Sequence, residues 1–211
     1  VVKEALTRYP SAKAVVLTYP NYYGVTSNHL ESIIHLCHSN NIPVLVDEAH
    51  GAHFCVNKAF PKTALASGAD VVVQSAHKTL PALTMGSFLH VNSKLFDVNK
   101  VNKYLRMLQS SSPSYLIMAS LDDARSYVER YNEMDYKRFI NRRELFIEAL
   151  RTISHLQVIY VDDPLKLLIR VDNYSGFQVQ KALEAQNIYV ELADTYQVLF
   201  ILPLLKVEHE Y

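Results

Sequence analysis

A lysine follows an apolar run in the segment VVVQSAHKTLPAL, which spans residues 71–83. Taking the charge of Lys78 out of water beside a buried strand is costly, so its position favours a chemical role over a structural one. Ser75 and His77 precede it and add a hydroxyl and an imidazole. A lysine amine attacks carbonyl carbons when its neighbours help it lose a proton, and it then forms an imine. Lys78 is therefore the candidate nucleophile of this segment.

An acidic residue follows a second apolar run, in the segment VLVDEAHGAHF of residues 44–54. An isolated aspartate such as Asp47 is as readily a helix cap or a surface carboxylate as a functional group. Here Glu48 and His50 add titratable groups close by, and Gly51 allows a close approach to the backbone. These neighbours favour a ligand-binding role for Asp47.

Two other functions compete for this segment. His50 and His53 lie three positions apart, but the segment is loop-like and lacks the His-Glu-x-x-His pattern of a zinc helix. No metal site is therefore expected, and His53 is predicted to be an ordinary core or surface histidine. The letters DEAH, residues 47–50, also occur in the ATPase motif of a class of helicases. That chemistry requires an upstream G-x-x-x-x-G-K-[ST] loop, which residues 1–46 do not contain, so the helicase is the less favoured alternative.

The chain alternates strand-like and helix-like segments in its first half. Four short apolar runs predict strands at 12–20, 42–50, 69–77 and 86–91. Apolar residues recur at helical spacing within 30–37, and Thr26 or Ser27 is the predicted N-cap. This alternation predicts an α/β fold with a mainly parallel sheet flanked by helices on both faces. Ligands bind beyond the carboxyl ends of such strands, which places Asp47 and Lys78 at the same edge.

Long helices and then a second α+β region are predicted farther along. The apolar spacing of residues 94–111 predicts one helix, and a second begins with Pro113 in its first turn and runs on towards Arg151. Short apolar runs then alternate with one helical segment. We therefore expect part of a major domain in residues 1–150 and the start of a smaller α+β region in 151–211. The chain starts with valine inside a helix-like segment and ends soon after an apolar run, which suggests a piece of a longer protein.

Composition and charge exclude several classes of function. The 211 residues are 49% hydrophobic, and 21 basic residues balance 21 acidic ones. This indicates a folded chain without a nucleic-acid or membrane partner. No apolar run approaches the roughly 20 residues that span a bilayer, and the start lacks a signal-peptide pattern, so a cytoplasmic location is expected. Cys37 and Cys55 lack a metal or redox spacing and are expected to be reduced packing residues.

These residues carry the chemical groups that the cofactor pyridoxal 5'-phosphate requires. Its aldehyde requires a lysine such as Lys78, and its pyridine nitrogen requires an acid such as Asp47 that keeps it protonated. Ser75 and His77 can hold its phosphate through charge-assisted hydrogen bonds. Ala49 lies two positions after Asp47, on the same side of an extended strand, where it can pack flat against the ring.

Four segments in a fixed order resemble one protein family. They are LTYPNYYG, VLVDEAHGAHF, GADVVVQSAHKTLPALTMGSFLHV and SSSPSYLIMASLD, and the resemblance covers about residues 12–125. They resemble the major domain of the Orn/Lys/Arg decarboxylases, which are fold-type I pyridoxal-phosphate enzymes with an aminotransferase-like architecture. Residues after 150 fit the family only loosely.

The resemblance implies a role for each candidate residue. By that resemblance Lys78 would carry the cofactor, Asp47 would pair with its pyridine nitrogen, and Ala49 would contact its ring. Ser75 and His77 would bind its phosphate.

The resemblance also implies a second subunit. The serine cluster before Ser-Pro would reach the phosphate of a neighbouring subunit through Ser110, with Ser111 as the alternative, so a homodimer or higher homo-oligomer is expected. His50 matches a position beside the cofactor.

The implied reaction is the decarboxylation of ornithine, lysine or arginine to a diamine or agmatine. One alternative is another fold-type I enzyme, such as an aminotransferase or an oxoamine synthase, which has a similar DEAHG loop. A degenerate family member kept for binding or regulation is another. The SAHKTLPAL and SSSPSY segments favour the decarboxylases. The 211 residues by themselves are expected to be inactive, because the family's phosphate loop and the residue that stacks on the ring lie upstream.

Overall fold

The computed structural model describes residues 1–204, which divide into two units. These units are Val1–Asn21 with Thr26–Arg130, and Tyr22–Val25 with the chain from Tyr131 onward. The helix Glu133–Arg151 therefore lies in the second unit, although the sequence pattern assigned it to the first 150 residues. The division of the protein at residue 150 stays a prediction. Within residues 1–204, no helix combines the length and apolar character needed to cross a membrane.

Three parallel strands and one antiparallel strand form the sheet of the first unit. In order across the sheet they are β1 (Val15–Thr18), β2 (Val44–Asp47), β3 (Val71–Gln74) and β4 (Phe88–Val91). β1 with β2 and β2 with β3 pair in parallel, whereas β4 runs antiparallel to β3. β-Branched residues dominate these runs because they pack well on a pleated, half-buried surface. The predicted α/β fold with a mainly parallel sheet is confirmed.

Five helices and a 3₁₀ turn accompany this sheet. They are α1 (Val2–Arg8), α2 (Leu30–Ser39), the 3₁₀ turn Phe54–Val56, α3 (Ala76–Thr79), α4 (Val98–Leu108) and α5 (Tyr115–Arg130). The predicted N-cap of α2 is wrong, since His29 occupies that position. Ser27 Oγ instead accepts a hydrogen bond from His29 N (3.2 Å), so Ser27 shapes the turn before the helix.

One face of the sheet is buried and the other is partly open. Val46 and Val72 are register partners with exposures of 2% and 0%, and Ile34 and Cys37 of α2 are equally buried. Each such apolar side chain stabilises the fold by about 1.5–3 kcal/mol. On the opposite face Val16 is 71% exposed. The predicted cover on both faces is therefore incomplete within the described residues.

The two cysteines have different environments. Both thiols are free, as predicted. Cys37 is fully buried in α2, whereas Cys55 is an exposed residue of the 3₁₀ turn. The packing interpretation is therefore confirmed for Cys37 and wrong for Cys55.

A buried carboxylate fastens the amino-terminal edge of the sheet. Asp70 is 2% exposed and accepts hydrogen bonds from Val44 N (2.7 Å), His38 Nε2 (2.7 Å) and Ser93 Oγ (2.5 Å). Burial alone would raise the pKa of Asp70, but these donors outweigh burial and lower it. Asp70 therefore ties β2, α2 and the segment after β4 together as an anion.

The long helix predicted to run towards Arg151 is interrupted. α5 begins at Tyr115, so Pro113 precedes it instead of standing in its first turn. A separate helix, α6 (Glu133–Arg151), starts with a capping box: Asn132 Oδ1 accepts from Asp135 N (3.1 Å), and Asn132 N donates to Asp135 Oδ2 (3.0 Å). The continuous helix is therefore wrong, because this cap begins a new helix.

An antiparallel sheet and two helices make up the described part of the second unit, which ends at Leu204. In order across the sheet, its strands are β5 (Leu156–Ile159), β6 (Lys166–Val171), β8 (Val198–Ile201) and β7 (Leu192–Ala193), and α7 (Gly176–Glu184) accompanies α6. Its core contains Ile147, Leu167, Ile169 and Val198. The expected α+β character is confirmed, and residues 205–211 of the predicted region lie outside the described residues.

Replacing Gly176 with alanine should destabilise the second unit. Gly176 follows the N-cap Ser175, and an added Cβ would lie 2.1 Å from Gln197 O and 2.4 Å from Asp194 O. We expect Gly176→Ala to lower the free energy of unfolding by about 3 kcal/mol or more in urea denaturation, because backbone atoms cannot move aside locally. The control Lys181→Ala, at an exposed position of the same helix, should change it by under about 0.5 kcal/mol. Equal effects of the two substitutions would contradict the prediction.

Candidate active site

The carboxyl ends of β2 and β3 lie side by side. The two strands pair in parallel with Asp47 opposite Val73, and Glu48 N donates to Val73 O (2.9 Å) just past the end of β2. Thr18 of β1 is the register partner of Asp47 on its other side, and Thr18, Asp47 and Val73 are all exposed. The pairing confirms that the segments following Asp47 and Gln74 start from one edge of the sheet.

A tight turn carries the residues after β2. Asp47 Oδ1 accepts from Ala49 N (3.0 Å), which is the hydrogen bond of an Asx turn, and Gly51 N donates to Glu48 O (2.9 Å). Asp47 is exposed, Ala49 is half-buried and His50 is buried. Asp47 is accordingly a solvent-accessible carboxylate at the end of its strand.

Lys78 lies on the first turn after β3. It belongs to the four-residue helix α3, and its backbone N donates to Ser75 O (3.1 Å). The residue is exposed, and its Nζ lies 3.2 Å from His50 Nε2. The amine of Lys78 is a hydrogen-bond donor, and the lone pair of His50 Nε2 can accept from it at this distance. The structure thus brings together Lys78 and His50, which are 28 positions apart in the sequence.

Ser75 and His77 belong to the same turn. Ser75 precedes α3 in extended backbone, and its hydroxyl makes no capping hydrogen bond to that helix. The backbone N and the ring Nδ1 of His77 lie 3.2 Å and 2.9 Å from Gly86 O. Because a carbonyl oxygen only accepts, Nδ1 of His77 carries a proton and donates it to Gly86 O, which leaves Nε2 as the ring nitrogen available to a ligand. The turn therefore carries a hydroxyl and an imidazole together with the amine of Lys78.

Ser110 lies in the loop between α4 and α5. Its Oγ donates to Ser112 O (3.1 Å) and accepts from Ser112 N (3.3 Å), and both Ser110 and Ser111 are exposed. Over residues 1–204, the hydrogen bonds of the Ser110 side chain stay within this loop. The role of Ser110, or of Ser111, towards a neighbouring subunit stays a prediction.

A buried polar network under this edge was missed by the sequence reasoning. Glu48 is 0% exposed, and its carboxylate accepts from Ala64 N (Oε1, 2.7 Å) and from Gln74 Nε2 (Oε2, 2.6 Å). Gln74 Oε1 lies 2.9 Å from His90 Nε2, which donates to it. The available signal was Gln74 itself, a polar residue that closes the apolar run VVVQ. A polar side chain at a buried strand position requires a partner.

Burial raises the pKa of Glu48 to about 7, and the hydrogen bonds from Ala64 and Gln74 only partly oppose that shift. In the unfolded chain the same group titrates near 4.5, so the folded protein binds more protons between these two pH values. The contribution of Glu48 to stability therefore falls as the pH rises from about 4.5 to about 7. Burial also lowers the pKa of His90.

His53 belongs to the core. It is 0% exposed, and its ring packs edge-on against Phe54 and Phe60 with centroid distances of 4.8 Å and 5.2 Å. The prediction that His53 is an ordinary core or surface histidine is confirmed, and the structure places it in the core. In the part of the chain that the structure describes, no three His, Cys, Asp or Glu side chains are placed to hold a metal ion.

Comparison with known families decides where the chain belongs. The family model "Orn/Lys/Arg decarboxylase, major domain" matches residues 1–164. The chain belongs to this family. The resemblance carried by the four motif segments is thereby confirmed, and the helicase interpretation of the letters DEAH is left without support.

Curated relatives cover nearly all of the chain. The uncharacterized protein YaaO of Bacillus subtilis is 50% identical over 212 residues, which represent 96% of this chain and 44% of that protein. An arginine decarboxylase of Bacillus cereus is 36% identical over 216 residues, or 96% of this chain and 47% of that protein. The chain therefore spans about half the length of the curated relatives it matches.

Solved structures share the fold. The constitutive lysine decarboxylase of E. coli superposes with a TM-score of 0.78 at 19% identity, over 99% of this chain and 36% of that chain. A ureidoglycine–glyoxylate aminotransferase of Bacillus subtilis gives a TM-score of 0.67 at 14% identity, over 96% and 58%. At such identities the likeness shows the fold alone, and it confirms the aminotransferase-like architecture.

Glu48→Gln should remove part of the pH dependence of stability. Glutamine resembles the protonated carboxyl group at every pH, so it abolishes the proton linkage of Glu48. We expect the free energy of unfolding of the unchanged protein, minus that of the variant, to fall by about 3 kcal/mol as the pH rises from about 4.5 to about 8. Urea denaturation across this range measures the difference. A difference that is independent of pH would contradict the raised pKa.

Asp70→Asn is the matched control for that measurement. The pKa of Asp70 is lowered from 3.8, so its stabilising contribution is present above that value and is lost as the pH falls below it. The contribution of the Asp70 carboxylate's own titration should therefore be constant over the range in which Glu48 titrates, so that any pH dependence of this difference there reports the pairing of Asp70 with His38.

Proposed function

We propose that the whole protein containing this chain decarboxylates a basic amino acid with pyridoxal phosphate, and that Lys78 binds the cofactor. The observation that carries this proposal is the 3.2 Å contact between Lys78 Nζ and His50 Nε2, at the sheet edge where β2 ends in Asp47. A nucleophilic amine, a base beside it and an anion on the neighbouring strand end are the groups that such an enzyme needs. Membership of the Orn/Lys/Arg decarboxylase family supports the reaction class.

The polar groups of this edge match the parts of pyridoxal phosphate. Lys78 offers an amine for the aldehyde, and Asp47 offers an accessible carboxylate for the pyridine nitrogen. Ser75 and His77 offer a hydroxyl and an imidazole for the phosphate. The small, half-buried Ala49 follows Asp47 in the turn and leaves room for a ring. The residues present therefore fit the cofactor.

Each residue has a distinct task in the proposed reaction. Pyridoxal phosphate, when bound, supplies a protonated ring that accepts the electrons released as the substrate loses carbon dioxide. Asp47 would keep the ring nitrogen protonated, because a nearby carboxylate disfavours loss of that proton. His50 Nε2 can take a proton from Lys78 Nζ and return it, since the two atoms are within hydrogen-bond distance. Ser75 and His77 would orient the cofactor by holding its phosphate.

The proposed substrates are arginine, lysine and ornithine, with agmatine or a diamine as product. Relatives named arginine decarboxylase are 35–36% identical to this chain, and a lysine decarboxylase shares its fold. By family resemblance the protein would form a homodimer or higher homo-oligomer in the cytoplasm. Ser110 would then contribute to the phosphate site of the neighbouring subunit.

Lys78→Ala should abolish the activity of the full-length protein. We expect decarboxylation of the best substrate to fall about 1000-fold or more, because the variant lacks the amine that binds the cofactor. Asp47→Asn should lower kcat about 100-fold, because the ring nitrogen then lacks its anionic partner. Release of labelled carbon dioxide from arginine, lysine and ornithine measures both effects.

The matched control is Lys13→Ala, an exposed lysine of the same unit, which should keep full activity. Borohydride reduction followed by mass spectrometry should locate a pyridoxyl group on Lys78. Full decarboxylation by Lys78→Ala, or a pyridoxyl group on a different lysine, would contradict the assignment of Lys78 as the residue that binds the cofactor. Amino-group transfer without release of carbon dioxide would instead indicate an aminotransferase.

A further inference from the structure

We propose that Glu48 is a positioning residue that sets the distance between the amine of Lys78 and the ring of His50. It acts from beneath the site through buried hydrogen bonds. The role bears on catalysis because Lys78 is proposed to bind the cofactor, so this inference rests on the proposed function.

The carboxylate of Glu48 joins separate parts of the chain. Its Oε1 accepts from Ala64 N at 2.7 Å, and its Oε2 accepts from Gln74 Nε2 at 2.6 Å. Ala64 and Gln74 stand 16 and 26 positions further along the chain. Short hydrogen bonds to a carboxylate are stronger in a buried site than in water and hold their partners in one geometry. The turn after β2 is thus fastened to the end of β3 by side chains as well as by main-chain pairing.

The same side chain lies against the turn that carries His50. Gly51 packs so closely on it that an added Cβ would lie 2.7 Å from Glu48 Cγ. Gly51 N also donates to Glu48 O (2.9 Å), and His50 lies between these two residues in the chain. A displacement of the Glu48 side chain would therefore shift the backbone on which His50 is mounted.

Gln74 extends the hydrogen-bond network from Glu48 to the turn that carries Lys78. It is 5% exposed and immediately precedes Ser75, whose carbonyl accepts from Lys78 N (3.1 Å). The Gln74 amide is held from both sides, since its Oε1 accepts from His90 Nε2 (2.9 Å) while its Nε2 donates to Glu48. The network therefore reaches both sides of the Lys78–His50 contact.

Asp70 provides a matched comparison within the same sheet. It is as deeply buried as Glu48, and it accepts hydrogen bonds from Val44 N and Ser93 Oγ. These contacts lie at the opposite, amino-terminal edge, where β2 and β3 begin. We therefore expect loss of this carboxylate to loosen the sheet at its amino edge and to leave the turns at the carboxyl edge in place.

The test measures the reactivity of Lys78 in the cofactor-free, full-length protein. Competitive acetylation with acetic anhydride at about pH 8 gives the rate at Lys78 relative to the exposed Lys13 of the same molecule, read by mass spectrometry. Only the neutral amine reacts, so the ratio reports the hydrogen bond between Lys78 and His50 without requiring the cofactor.

We expect Glu48→Ala and Gln74→Met each to change the ratio at least about threefold, because each cuts the link between the two turns. Glu48→Gln should restore most of the unchanged ratio, because glutamine still accepts from Ala64 N, the Gln74 amide can turn its oxygen towards it, and the other tautomer of His90 then accepts from Gln74 Nε2. Asp70→Ala should leave the ratio unchanged although it destabilises the fold.

An unchanged ratio in Glu48→Ala and Gln74→Met would overturn the proposal, and so would an equal change in Asp70→Ala. If Glu48→Ala does not fold, Gln74→Met decides alone, because it keeps the hydrogen bond from Ala64. A different result would contradict the proposed function. That result is the absence of a pyridoxyl group on Lys78 of the unchanged protein after reduction with borohydride. The acetylation ratios are measured without cofactor and keep their meaning in that case.

Discussion

The parallel pairing of β2 with β3 is the constraint on which the rest of the site depends. It sets Asp47 opposite Val73, so that both strands end at one edge and the turns that follow them start side by side. A slip of one residue would move every side chain of a strand to the other face of the sheet. This register therefore places the exposed carboxylate of Asp47 and the turn that carries Lys78 at the same edge of the sheet.

Two buried carboxylates stabilise opposite edges of this sheet and carry opposite pKa shifts. Asp70 accepts from a backbone amide, a histidine and a serine, and these donors outweigh the cost of burying its charge. Glu48 accepts from one amide and one glutamine, which do not outweigh that cost. The balance between the cost of burial and the hydrogen-bond donors thus decides the sign of each shift. The amino edge is held by a carboxyl group whose pKa is lowered, whereas the edge beneath Lys78 is held by one whose pKa is raised to about 7.

Local patterns predicted the elements better than their ends and surroundings. The strands and α2 appeared where β-branched runs and helical spacing indicated them. The continuous helix towards Arg151 was wrong because the reciprocal cap of Asn132 and Asp135 starts a new helix. The exposure of Val16 was not foreseen either, because an apolar run does not reveal which of its faces the neighbouring elements cover.

The sequence by itself determined which chemical groups stand near the strand ends, since Asp47 directly follows one apolar run and Lys78 lies in the turn that follows another. It also determined the family, because four ordered motifs carry that resemblance. The tertiary structure alone decided that Lys78 Nζ lies 3.2 Å from His50 Nε2 and that Glu48 binds Gln74. These pairs are 28 and 26 positions apart. Their contacts arise from strand register and turn geometry, which depend on packing throughout the unit and leave no local pattern in the chain.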